Sequence, residues 1–247
     1  MKGLKFICLS FLFSCLALEA SLIGYYTFEG NANDVSGNDK HGTVYGATLT
    51  TGYQGQAYSF DGTNDLISVN ININPSNYSK LTMGAWAKVS DGSPIRQIIS
   101  HDDGGYDRTL GIDYRGGGTG WSAFTGSSVL GYKPAANNWT FVAVVYDQVA
   151  ATVDLYVDGS AYYATGKTAG EGFTFLTIGA NPYSTIGTGH EFFSGILDNV
   201  FLYDEAMNAS QIEYIRTNGI SPVPEPCSII LLLFGTFSFC IFAKRES

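Results

Sequence analysis

From residue 22 to residue 203 the chain is a succession of short β-prone runs, each closed by a cluster of Gly, Asn, Asp or Ser. With 30 glycines, 14% aromatic residues and few Leu-rich helical runs, such a chain is confined to short strands joined by tight turns. Period two is clearest over residues 81–89. Leu81, Met83, Ala85, Ala87 and Val89 fall on one face and Thr82, Trp86 and Lys88 on the other, the pattern of a half-buried strand. Strands are predicted in the same way at 22–28, 43–45, 56–60, 66–69, 96–101, 109–114, 121–124, 139–146, 151–157, 160–164, 175–179 and 192–203, with Asp158-Gly159 marking a hairpin. One helix is predicted, over 208–217: Asn208 caps it, Gln211 reaches back, Ile212 and Ile215 face the core and Gly219 ends it. About a dozen strands and one late helix argue for an all-β sandwich of two antiparallel sheets.

Both ends read as targeting segments. Lys2 and Lys5 precede an apolar stretch over 6–18 and a small-residue cleavage site at Ala20-Ser21, so residues 1–20 read as a signal peptide; acylation at Cys15 is the rival reading. At the other end, Pro222-Val223-Pro224-Glu225-Pro226 leads into an apolar run from Cys227 to Ala243. Seventeen helical residues rise roughly 25 Å, enough to cross a bilayer. A transmembrane helix is therefore predicted over 228–243, and Lys244 and Arg245 place its end in the cytoplasm and the rest of the chain across the inner membrane.

Between the ends lies one domain, residues 21–220, long enough to bury a full core. Its sequence contains no cysteine, since the four fall at positions 8, 15, 227 and 240, so no disulfide framework holds it. Nine Lys and Arg stand against nineteen Asp and Glu over residues 21–222. That acidic balance repels phosphate backbones, which excludes nucleic acid as a partner, and favours divalent cations.

The tail resembles the PEP-CTERM sorting signal of Gram-negative and related bacteria, over residues 221–247. The resemblance implies recognition of Val223, Pro224, Glu225 and Pro226 by an exosortase, an integral-membrane cysteine protease, with Lys244 and Arg245 as the basic terminus. The protein would then be either anchored by its single span or released to the cell surface or extracellular matrix. Physically, prolines flanking one carboxylate make a stiff extended segment that a processing enzyme can grip.

The domain carries a second resemblance. Tyr25-Tyr26-Thr27-Phe28-Glu29-Gly30, His41-Gly42-Thr43, Ala57-Tyr58-Ser59-Phe60-Asp61-Gly62, Thr82-Met83-Gly84-Ala85-Trp86, Leu155-Tyr156-Val157-Asp158-Gly159 and Gly195-Ile196-Leu197-Asp198-Asn199-Val200 resemble, in order, landmarks of the laminin G-like, concanavalin A-like jelly-roll superfamily. The resemblance implies two packed curved sheets, extracellular placement and binding of carbohydrate or an extracellular protein, sometimes with calcium.

Three sites follow as expectations. Calcium takes six to eight oxygen ligands. The loop 29–39 is rich in carboxylates and amides, and the family fold places Asp198 beside the first strand, so Asp34, Asn38 and Asp198 are candidate ligands of a structural calcium ion; the competing reading is that the loop residues only form turns. The cluster from His101 to Arg108 reads as a solvated hairpin tip. Tyr106, Tyr114 and Trp121, set around Arg115 and a glycine run, are a candidate sugar platform, against the reading in which Trp121 packs inward. No closely spaced carboxylate motif of the jelly-roll glycosidases and no Gly-x-Ser-x-Gly elbow occurs, so no catalytic residue is named. A non-catalytic carbohydrate or matrix-binding module is the first reading, a structural matrix or biofilm protein without glycan affinity the second, and a polysaccharide-active enzyme the third.

Overall fold

The computed structural model describes residues 20–91, 95–132, 137–182 and 191–220. The sorting residues Val223, Pro224, Glu225, Pro226, Lys244 and Arg245, the span over 228–243 and nearly all of the leader lie outside the described residues.

In chain order the strands are β1 (Leu22–Tyr26), β2 (Gly42–Tyr45), β3 (Thr48–Thr51), β4 (Gln56–Asp61), β5 (Leu66–Val69), β6 (Lys80–Asp91), β7 (Arg96–Ser100), β8 (Thr109–Asp113), β9 (Gly120–Phe124), β10 (Val129–Tyr132), β11 (Trp139–Asp147), β12 (Thr152–Val157), β13 (Ser160–Thr165), β14 (Leu176–Ile178) and β15 (Ser194–Tyr203), followed by the helix α1 (Ala209–Asn218). They form an eight-stranded sheet in the order β13-β12-β11-β6-β15-β4-β3, with β1 also on β15, and a seven-stranded sheet in the order β10-β9-β8-β7-β14-β5-β2. The neighbours pair antiparallel. This is the concanavalin A-like jelly-roll that the landmarks implied.

β15 ties the larger sheet together. One of its edges pairs with β6; on the other, residues 194–197 pair with β4 and residues 200–203 with β1. Between these stretches the pairing to β6 slips, from Asp198 opposite Trp86 to Phe201 opposite Gly84, and Asn199 takes a φ of +50°. Such a bulge bends the strand and re-aims a side chain.

The core sits between the sheets. The inward row of β6 is the one its alternation predicted: Leu81, Met83, Ala85, Ala87 and Val89 are buried there, and Ile98, Leu110, Ile112 and Trp121 meet them from the smaller sheet. Each large side chain so buried contributes about 1.5–3 kcal/mol of transfer free energy. α1 also forms as predicted: the Asn208 carboxamide oxygen accepts from the N–H groups of Ser210 and Gln211, Gln211 accepts from the Asn208 N–H, and Ile212 and Ile215 are buried. β3 and β10 were not foreseen. Both are four-residue strands at sheet edges, and β3 buries no residue, so it leaves no period-two signal.

Candidate functional site

Alternation along the smaller sheet decides which side chains meet a ligand. On β8 and β9 the side chains of Leu110, Ile112, Trp121 and Ala123 enter the core, so Thr109, Gly111, Asp113, Ser122 and Phe124 point to the outer face. Gln97, Gly111, Ser122 and Gly131 lie opposite one another in register, forming a row across four strands. Gly111 is required in that row, because a Cβ there would lie only 2.4 Å from the Arg96 backbone oxygen as well as against the Gln97 side chain.

This outer face is polar, yet buried. Gln97, Ser100, Thr109, Asp113 and Ser122 are all excluded from solvent. A buried polar group needs a partner, and most have one. Ser100 and Thr109 share a hydroxyl bond of 2.7 Å. Arg115 donates from Nε to both oxygens of Asp113 and pairs with it again through Nη2. Gln97 Nε2 donates to Glu191 at 3.0 Å, and Asn181 Nδ2 lies between Glu191 (2.8 Å) and Asp102 (2.9 Å). Two atoms are exceptions: Gln97 Oε1 and Ser122 Oγ are buried with no hydrogen-bond partner. Leaving such an atom unsatisfied costs about 1–3 kcal/mol.

Beside this row opens a pocket of about 150 Å³ whose lining includes Asp102, Tyr106, Arg115, Phe124, Asn181 and Glu191. Tyr106 meets Phe124 edge-on at 5.3 Å, and the Arg115 guanidinium lies 5.1 Å from the Tyr106 ring centre. Burial pushes the Glu191 carboxyl up, against the opposing hydrogen bonds from Asn181 and Gln97. Its floor is fixed from below by the 101–108 segment, which is not the solvated hairpin tip expected from its charges. His101, Asp102, Asp107 and Arg108 are buried. Burial pushes the Asp107 carboxyl up to about 7 and the His101 imidazole down to about 4. A neutral ring protonated on Nδ1 suits both contacts of His101, donating to Phe173 O and accepting the Arg108 N–H on Nε2. Arg108 turns inward and donates to the carbonyls of Ile73 and Tyr78, so the polar cluster is consumed by the fold.

The expected sugar platform divides. Tyr106 lines the pocket, and Tyr114 is 52% exposed on the strand end nearby. Trp121 is 1% exposed and belongs to the core, opposite Ile112, so the inward reading of this residue holds and the platform lacks it. The outward row of β7 to β9 was missed. Its signal was present in the polar residues alternating with Leu110, Ile112, Trp121 and Ala123.

The three expected calcium ligands are each engaged by hydrogen bonds within the protein. Asp34 accepts from the backbone N–H groups of Tyr25, Ser36 and Lys40 and from the Ser36 hydroxyl, which organises the turn. Burial raises its carboxyl, but these bonds outweigh it and hold the group below the ordinary carboxylate range. Asn38 donates to Leu22 O. Asp198 accepts the Gln54 N–H, while Tyr25 gives its N–H to Asp34 and its hydroxyl to Asn199. Among the described residues no three His, Cys, Asp or Glu side chains converge on a metal position.

Residues 61–213 match a family model described as the concanavalin A-like lectin/glucanases superfamily. Similar solved structures include domain 4 of AbnA, a GH43 extracellular arabinanase from Geobacillus stearothermophilus in complex with arabinotriose, with 17% identity and a TM-score of 0.63 over 81% of this chain and 100% of that one. The binding domain of Paraclostridial Mosquitocidal Protein 1 is similar at 17% identity and TM-score 0.59, over 79% of this chain and 52% of that one. A botulinum neurotoxin type C structure, described as depending on two ganglioside molecules for cell entry, is similar at 13% identity and TM-score 0.61, over 82% of this chain and 52% of that one. The chain thus spans about half the length of the two toxin chains. No curated protein matches the sequence.

Asp198, on β15 of the larger sheet, supplies a test of a buried charge. Burial pushes its carboxyl from the ordinary 3.8 up to about 6, against an opposing N–H bond from Gln54. The folded domain therefore holds the proton longer than the unfolded chain, and stability is lost as pH rises between those values. Asp198→Asn is expected to match the wild type in Tm near pH 4 and to exceed it above about pH 6. Parallel Tm–pH curves would contradict the burial of this charge.

Proposed function

We propose, starting from the fact that this chain belongs to the concanavalin A-like lectin/glucanase superfamily, that it is a non-catalytic, secreted or surface-displayed bacterial module that binds carbohydrate on the outer face of its smaller sheet. One observation carries this reading: Gln97 Oε1 and Ser122 Oγ are buried without partners in one row, and Glu191, which accepts from Gln97, lines the Tyr106–Arg115 pocket. A sugar hydroxyl both donates and accepts, so one ring can satisfy an amide oxygen and a serine hydroxyl together. Tyr106 and Phe124 offer apolar ring surface, while Arg115 and Glu191 place a donor and an acceptor at the rim.

The similar arabinanase domain holds arabinotriose, and the type C toxin engages gangliosides, which supports a saccharide as the ligand class. The acidic balance of the domain favours a neutral glycan over a polyanion. Binding is favoured over hydrolysis because the nearby carboxylates serve as acceptors: Asp113 for Arg115, Asp102 for Asn181 and the Asp107 N–H, Glu191 for Gln97 and Asn181. A glycosidase needs one carboxyl to give a proton and a second to attack or to activate water.

Titration of the full-length chain with arabinotriose and a neutral oligosaccharide panel tests the reading. Ser122→Ala removes a hydroxyl that has no partner in the protein, so it should leave Tm unchanged or slightly higher while weakening glycan binding roughly fivefold, the worth of about one hydrogen bond. Equal affinity in wild type and Ser122→Ala would contradict it. Absence of any glycan affinity would favour the structural matrix role.

The tail at residues 221–247 completes the proposal as the address that delivers the module to an exosortase at the membrane. Mass spectrometry of the C terminus from native cells should find a mature end close to Pro226. An intact Ser247 would instead mean permanent anchoring by the span.

A further inference from the structure

We propose that a cavity on the opposite side of the sandwich, on the outer face of the larger sheet, is a second saccharide site that takes one neutral sugar ring. It holds about 100 Å³. Its floor is formed by Trp86 on β6, Asn199 and Phe201 on β15 and Tyr25 on β1; the turn bearing Tyr53 and Gln54 makes one wall and the last turn of α1 the other.

Asn199 is the first reason. The bulge in β15 lifts it out of register and holds it at a φ of +50°, in the left-handed region, where a non-glycine side chain is uncommon. Strain of this kind persists where the surroundings impose it and gathers at functional sites. The Tyr25 hydroxyl donates to Asn199 Oδ1 at 2.7 Å, which fixes the amide. Its Nδ2 has no hydrogen-bond partner among the described residues, and Asn199 lines the cavity. Gln54 brings a second amide to the same cavity.

The aromatic wall is the second reason. Tyr53 stacks on Trp86 with ring centres 3.7 Å apart and 11° between planes, and Trp139 meets it edge-on at 5.9 Å. Tyr53 is nonetheless 41% exposed. A ring clamped on one side and open on the other is a preformed stacking surface, and amides at its edge orient what stacks there.

Charge and size define the ligand. Asp198 is buried beneath the same turn; its Oδ2 accepts the Gln54 N–H, and its Oδ1 has no partner. The carbonyl end of α1 adds partial negative charge. Arg216 at the rim is paired with Glu213 and does not reverse this. Uronic and sialic acids are therefore disfavoured. At about 100 Å³ the cavity is smaller than the roughly 150 Å³ that encloses a benzene ring, so one sugar ring seats only partly in it and the rest stays in solvent, as a chain end can. The cavity stands independently of the pocket on the smaller sheet; only its consequence, a domain joining two glycan chains, rests on that reading.

Tryptophan fluorescence of the full-length chain, titrated separately with the methyl glycosides of D-glucose, D-galactose and L-arabinose, provides the test. At least one should bind saturably, with a Kd of about 1 mM. Asn199→Gly keeps the backbone conformation and removes the amide, including the acceptor of the Tyr25 hydroxyl, so it should weaken binding at least tenfold while Tm changes little, the lost hydrogen bond being offset by relief at the positive φ. Four results would overturn the proposal: no saturable binding of any of the three, binding of unchanged affinity and amplitude in Asn199→Gly, a preference for D-galacturonate, or a preference for tetramethylammonium. Binding lost in Ser122→Ala but kept in Asn199→Gly would assign the sugar to the smaller sheet instead, overturning the second site while leaving the first in place.

Discussion

Strands β7, β8 and β9 are buried on both faces, but only one face is apolar. The inward row closes the sandwich with Ile98, Leu110, Ile112, Trp121 and Ala123, as any jelly-roll requires. The outward row keeps Gln97, Thr109, Asp113 and Ser122 out of water, where each must find a hydrogen-bond partner or destabilise the fold. Everything around it follows from that demand. Arg115 folds back onto Asp113, Asn181 links Glu191 to Asp102, and Gly111 leaves the backbone bare so that Gln97 can lie across it. Among the described residues only Gln97 Oε1 and Ser122 Oγ in this row are left without a hydrogen-bond partner.

The support under this face is assembled from distant parts of the chain. Arg108 reaches the carbonyls of Ile73 and Tyr78 and lies over the Tyr146 ring, while the Tyr146 hydroxyl accepts the Thr109 N–H and lies 3.0 Å from Phe124 O. A guanidinium buried without a carboxylate carries a large desolvation cost, and burial lowers its pKa to about 10. The carbonyl bonds offset that cost by tying β8 and β9 to the loop beneath them. Tyr106 and Phe124 are held in place through this connection. The larger sheet solves a different problem: β15 has to serve three partners, and the bulge where it passes between β4 and β1 presents Asn199 to the outer surface.

The fold was legible in the sequence because its determinants are local. Alternation in 81–89 named the inward face of β6, and the Asn208–Gln211 box with Gly219 bounded the helix within a residue. The edge strands β3 and β10 were not legible, since an edge that packs little carries little pattern. Site residues were read less well for a related reason. Proximity in sequence drew attention to the 101–108 charges and to Trp121, but the segment turns inward through Arg108, and strand parity sends Trp121 into the core. The polar row that replaces them is spread over β7, β8 and β9, and comes together only through register. Asp34 and Asp198 were joined by an expectation about neighbouring strands; in the structure Asp34 organises its own turn and Asp198 accepts the Gln54 N–H.

A crystal structure of the protein soaked with a neutral oligosaccharide that it binds tests the central claim most directly. The account predicts a sugar ring against Tyr106, with hydroxyl oxygens within hydrogen-bond distance of Gln97 Oε1 and Ser122 Oγ. An oligosaccharide bound elsewhere, with those two atoms still buried and untouched, would contradict it.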